Sequence, residues 1–259
     1  MNKKKRNKKK YSLVITLIIS ILIIIIVIYT KTIPIYNVSD RTQILVKKQN
    51  EDDTVFAWLK VQGTNIDYPI VYSDTEKFEQ GEYDYDYLWT NSYSTKLNSR
   101  VIVWGHNIRN VSSKPLINQK DFNYFENLPS FLYYDFVKDN KYIQYTINGK
   151  NYLYKIYAVS MIDKSKFNHN EYMVEKEKKE YINQTIKESY FKFDVDIGKN
   201  PNLITLATCT RFFGNDVLVI KIDGVKVEDN EKIRNYKVTK NNKNYNKIEK
   251  IMKGDDKNE

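Results

Sequence analysis

From Phe56 onward, short apolar or aromatic runs alternate with polar turns along the chain. FAWLKV (56–61), IDYPIV (66–71), RVIVWG (100–105), FLYYDF (131–136), KYIQYTI (141–147), YLYKIYAVSMI (152–162), NLITLATC (202–209) and VLVIKI (217–222) have the length and the β-branched and aromatic content of strands. Between two of them stands Asn148-Gly149, the dipeptide of a two-residue hairpin. These runs, with few long helices among them, predict a mainly β chain that closes into a seven- or eight-stranded barrel.

Two stretches break the strand pattern. INQKDFNYFENL (117–128) reads as a short helix, and EYMVEKEKKEYINQTIKESYF (171–191) as a longer one. In the second, Tyr172, Met173, Tyr181, Ile182, Thr185, Ile186 and Tyr190 recur at helical spacing, and the Lys and Glu between them make a solvated face. Residues 31–50 read as a polar stalk leading into a short helix. Residues 230–259 are rich in Lys and Asn and poor in apolar side chains, so they are expected to be a basic, disordered tail. No internal repeat is present. The barrel is expected to occupy 51–229 as one domain.

The N-terminus is of another kind. Seven of the first ten residues are Lys or Arg, and the twenty that follow (11–30) carry no charge. A helix of about 20 apolar residues spans the roughly 30 Å of a bilayer's hydrocarbon core. The rival reading is a cleaved signal peptide, whose apolar region is usually about 7–15 residues and ends in small residues; here the first alanine is Ala57. The expectation is a cytoplasmic basic tail (1–10), a transmembrane anchor (11–30) and, by the positive-inside rule, an extracytoplasmic domain beyond it.

Net charge changes the picture little. Of the formal +10, the first ten residues supply +7 and residues 230–259 supply +4, leaving −1 on everything between. A nucleic-acid-binding face would put the basic excess on the folded body, so that class is set aside.

The candidate chemistry rests on one cysteine and two histidines. Cys209 ends an apolar run, and a lone cysteine is most often a small buried hydrophobe. A single thiol in an oxidising compartment forms no disulfide within its chain and is exposed to oxidation, which is easier to understand if it has a chemical task. A thiol nucleophile needs a proton partner. His106 follows an apolar strand in VIVWGHN, a rigid mount for a loop-borne group, whereas His169 lies in polar DKSKFNHNEY and reads as an exposed loop residue. The spacings hold no zinc-ligand pairs, and neither EDD (51–53) nor EYDYDY (82–87) has the pattern of a calcium loop; the latter reads as a surface loop.

TLATC (205–209) at a strand end resembles the TLxTC signature of sortases, the membrane-anchored cysteine transpeptidases of Gram-positive bacteria. WGHN (104–107) is similar to that family's strand-end histidine motif. WLKVQGTNIDYPIVY (58–72) and the helix at 171–191 resemble class B in particular, and the likeness covers roughly residues 50–225. It implies a sortase-type barrel with an N-terminal helix and a helix inserted before the cysteine strand. It implies Cys209 as nucleophile through a thioacyl intermediate and His106 as acid and base. The partners implied are secreted proteins with a C-terminal sorting signal, and a cell-wall peptide or pilin amine as acceptor; no cofactor or metal is implied.

The family also places an arginine at the start of the strand after the cysteine. Here that place holds Asp216 or Val217. Arg211 is the nearest replacement, on the same face as Cys209 if the strand continues, although a turn at Phe213-Gly214-Asn215 could redirect the chain; Lys221 or a backbone amide is next in line. Two other classes stay open. A papain-type hydrolase carries its cysteine early, at a helix start, and a non-catalytic anchored receptor needs neither Cys209 nor His106.

Overall fold

The computed structural model describes residues 11, 13–25, 36–72, 87–91, 100–111, 115–212, 217–229, 231, 233 and 235–253. The chain divides into two units, Met1–Asn37 with Asn230–Asn235, and Val38–Asp229 with Tyr236–Glu259. In the first, residues 13–25 are helical. The expected anchor is corrected accordingly: among the described residues no helix is long and apolar enough to cross a membrane. The single-pass, extracytoplasmic placement that rested on the anchor falls with it. The expected basic tail (1–10) lies outside the described residues.

The second unit is built on a closed eight-stranded barrel. Helix α1 (Thr42–Glu51) leads into β1 (Val55–Val61) and β2 (Asp67–Tyr72), followed by β3 (Leu88–Thr90), β4 (Arg100–Gly105), β5 (Tyr142–Ile147) and β6 (Lys150–Asp163). Helix α2 (Glu175–Glu188), β7 (Phe191–Phe193), β8 (Leu203–Thr210), β9 (Leu218–Lys226), β10 (Val238–Lys240) and helix α3 (Asn242–Lys253) complete the order. Around the barrel the strands run β1-β2-β3-β4-β8-β9-β6-β5, and β5 closes on β1. The β2–β3 and β4–β8 pairs are parallel and the others antiparallel.

Alternation decides what each strand buries. In β1, Ala57, Leu59 and Val61 are buried in the main core while Phe56, Trp58 and Lys60 are only partly covered. Strands β4 and β5 are buried along their whole length and read as near-continuous apolar runs. Asn148 and Gly149 join β5 to β6 with φ of 50° and 68°, the left-handed pair that a type I′ turn requires. EYDYDY (82–87) falls outside the described residues except Tyr87.

Three expectations change. FLYYDF is not a strand: Phe131 and Leu132 end a 3₁₀ segment, Tyr124–Leu132, and Tyr134–Val137 form one helical turn. Short apolar runs do not distinguish strand from helix, and in this one Phe131 and Leu132 are buried while Asp135 is exposed. The helix expected over 117–128 is displaced to that 3₁₀ segment because Asn118 and Tyr124 take φ of 35° and 45°, which breaks a right-handed helix twice. In α2 the buried stripe is Lys178, Tyr181 and Thr185, while Tyr172 and Ile186 are exposed.

The tail differs from expectation as well. Within 230–259, β10 pairs with β7, and Val238, Tyr245, Ile248 and Met252 enter the main core. The asparagines that suggested disorder are partners: Asn241 and Asn244 donate through Nδ2 to the Ser189 carbonyl, and Asn244 also donates to Lys187. These are the carbonyls that the end of α2 leaves without helical donors. Ile248→Ala should therefore destabilise the protein by about 2–5 kcal/mol in urea unfolding. The neighbouring exposed Lys247→Ala should change it by less than about 0.5 kcal/mol; equal, negligible effects would mean that the segment does not belong to the core.

Candidate active site

Strands β4 and β8 pair in parallel from Arg100↔Leu203 to Trp104↔Ala207, at a constant offset of 103 residues. His106 follows the last residue of β4, and the same offset carries it level with Cys209. Alternation then fixes the face. Val101 and Val103 point into the main core, whereas Ile102 and Trp104 belong to a second cluster with Val55, Val71, Trp89, Ala207 and Val219, with Cys209 packed against its edge. The imidazole of His106 lies on this outer face too, with its centroid 5.0 Å from the Trp89 ring.

Cys209 is half-buried and stands opposite Val219 of β9. It opens into a cleft of about 320 Å³ lined by Asn107, Ile108, Val111, Thr210, Arg211 and Val217. One wall is the loop after His106 and the other is the region between β8 and β9. Arg211 is exposed, one residue beyond the end of β8, and it shares the cleft with Cys209 as the i, i+2 spacing requires. Among the described residues no carboxylate or carbonyl holds its guanidinium. The expected turn at Phe213-Gly214-Asn215, and Asp216, lie outside the described residues.

Burial of the His106 ring pushes its pKa below the ordinary 6.5, because the charged form loses water. At neutral pH its majority form is the neutral imidazole. His169 is exposed on the segment before α2, as expected, yet it stacks on Trp104 at 5.8 Å and meets Phe167 edge-on at 4.9 Å. It does not line the cleft of Cys209.

The other fallback donor is occupied elsewhere. Lys221 is buried under α2, where it donates to Thr185 Oγ1 at 3.1 Å and lies 3.6 Å from Asp223 and 4.0 Å from Glu188. Burial opposes its charge, but Asp223 first among its neighbours outweighs this and holds the ammonium above its usual range. It is a structural cation.

Sequence reasoning passed over Asn107. This buried side chain donates to the Asn110 carbonyl at 2.7 Å and accepts from the Asn110 N–H at 3.2 Å, closing a turn directly after His106. An asparagine at a strand exit is the signal that could have marked it. No group of His, Cys, Asp or Glu among the described residues could hold a metal ion.

No protein-family model matches the chain. It is similar to sortase B of Listeria monocytogenes, 26% identical over 197 residues that cover 70% of this chain and 74% of that protein. Among solved structures it superposes on sortase B of Clostridium perfringens with a TM-score of 0.59 at 24% identity, covering 71% of this chain and 99% of that one. A sortase B–substrate complex from Staphylococcus aureus gives 0.58 at 16% identity, over 73% and 92%. The structural matches speak for the fold, and the sequence relatives carry the likeness further: over most of its folded length the chain is similar to sortases, cysteine transpeptidases, and among them to class B.

Proposed function

We propose that the chain cleaves a sorting signal near the C-terminus of secreted proteins and joins the new acyl end to an amine of a cell-wall peptide or a pilin. Cys209, as thiolate, attacks a backbone carbonyl of the signal. The C–S bond forms as the C–N bond breaks, and His106 gives its proton to the departing amine. The incoming amine then loses a proton to His106 and displaces the thiolate, so one amide is exchanged for another and no energy source is consumed. Arg211 donates hydrogen bonds to the oxyanion of each tetrahedral intermediate. What supports this reading is the strand register that carries His106 level with Cys209, together with the cleft that Cys209 shares with Arg211 and with the loop after His106.

Burial of His106 disfavours the imidazolium of the working thiolate–imidazolium pair. Such a pair gives a bell-shaped profile in which activity falls at low pH, where both groups hold protons. Its acid limb tracks the His106 macroscopic pKa and should lie below 6.5 in kcat/KM. A limb above 6.5 would assign that titration to another group.

Cys209→Ala should abolish turnover of a signal peptide in the presence of an added amine while leaving the unfolding transition in place, since Ala fits where the thiol sat. Residual turnover by this variant would remove the nucleophile from the scheme. Arg211→Ala should lower kcat/KM by about 10²–10³, the range for one lost oxyanion donor. Arg211→Lys should restore only part, because the ammonium keeps the charge without the planar fork. Wild-type activity in Arg211→Ala would hand the oxyanion to backbone donors. Product analysis in the same assay separates ligation to the amine from release to water.

A further inference from the structure

The proposed roles of Cys209 and His106 require the two chain segments that carry them to keep a fixed separation, and the strand register alone does not provide it at that point. The described ladder between β4 and β8 runs to Trp104↔Ala207. Beyond it β8 continues to Thr210 against β9, while β4 ends at Gly105 and the chain leaves as a loop. His106 thus stands where its strand loses the backbone support of the cysteine strand.

A side chain takes over at this step. Thr208, fully buried, donates through Oγ1 to the Gly105 carbonyl at 2.7 Å. The donor precedes Cys209 by one residue and the acceptor precedes His106 by one residue. Gly105 is closely packed: a Cβ there would stand 2.5 Å from Leu88 Cδ2 and 2.8 Å from the Phe125 ring. On the far side of His106, the paired hydrogen bonds between Asn107 and Asn110 fix the next residue. The histidine is mounted between two clamps, and of the two the Thr208 clamp reaches the cysteine strand.

We propose that Thr208 is a positioning residue, whose hydroxyl extends the β4–β8 ladder by one step and thereby sets the imidazole of His106 against the thiol of Cys209. A hydroxyl is required rather than bulk alone. Valine fills the same volume and suits a strand equally well, but it leaves the Gly105 carbonyl without this donor. The side chain touches no substrate and acts only through the two residues it joins.

The test compares Thr208→Val and Thr208→Ser in the purified chain, with Cys209→Ala and His106→Ala assayed alongside. A misplacement on the order of 1 Å can cost about 10²-fold. Thr208→Val should therefore lower kcat by about 10–100-fold with KM within about twofold, and should move the acid limb of the pH profile. Thr208→Ser should recover most of the rate and the wild-type limb. The rate of Cys209 alkylation by iodoacetamide across pH, which needs no peptide substrate, should change in the Val variant and return in the Ser variant. Should Thr208→Val fail to fold, Thr208→Ala against Thr208→Ser carries the same comparison. Wild-type kcat and pH profile without the hydroxyl, or an equal loss in the Ser variant, overturns the proposal. Turnover by Cys209→Ala or full activity in His106→Ala overturns the underlying assignment of the pair instead, so the two failures are read from different samples.

Discussion

Everything at the candidate site depends on the parallel register of β4 and β8. Side chains alternate with a period of two, so a slip of one residue would turn Cys209 into the barrel and bring Thr208 to the surface. The register is held because both faces are apolar in phase: Val101, Val103, Ile204 and Leu206 fill the interior, while Ile102, Trp104 and Ala207 pack outside under Phe167 and Leu45. Residues 103 apart in sequence become neighbours, and the intervening chain closes the barrel through β5 and β6 and returns with α2 before entering β8. The reactive pair is a product of topology, since neither residue has a local sequence partner.

The same outer face holds a buried polar cluster that fastens this returning chain. Arg100, fully buried at the start of β4, donates through Nε to Thr205 at 2.8 Å and through Nη1 to the Asn168 carbonyl at 2.7 Å, and its guanidinium lies 4.3 Å over the Tyr181 ring. Thr205 and the Tyr181 hydroxyl both donate to Asp223 Oδ1, and Lys221 balances that carboxylate. Three strands (β4, β8 and β9), the 168–170 segment and α2 meet at these charges. Removing one member would leave a buried charge uncompensated, a loss of about 3–5 kcal/mol. The cluster borders the position of Ala207, two residues from the thiol, so it steadies the strand that carries Cys209 as well as the helix above it.

Most of the barrel was legible because burial writes itself into strand periodicity. Seven of the eight runs marked as strands are strands, and Asn148-Gly149 makes the expected turn. Cys209 and His106 could be singled out because the chain has so few groups able to serve as nucleophile and base. What escaped did so for physical reasons. Leu88–Thr90 is too short to show a period. FLYYDF is a short apolar run, and such runs do not distinguish a strand from helical turns. In the C-terminal segment, Tyr245, Ile248 and Met252 form a stripe only three residues wide among Lys and Asn, and average composition hid it. The 20-residue uncharged run at 11–30 suggested a span by composition, whereas among the described residues no helix is long and apolar enough to cross a membrane. Nothing in the sequence neighbours of Arg100 announces the Asp223 that it meets through Thr205.

The central claim is that Cys209 becomes acylated by the substrate peptide, on a face where His106 and Arg211 attend it. Its most direct test is mass spectrometry of the purified chain quenched in acid during incubation with a library of candidate signal peptides, followed by proteolytic mapping. The account predicts a substrate-derived acyl mass on the fragment containing Cys209, which disappears when an amine is added as the ligated product forms. Cleavage of a peptide with the Cys209 fragment at its unmodified mass throughout would contradict it.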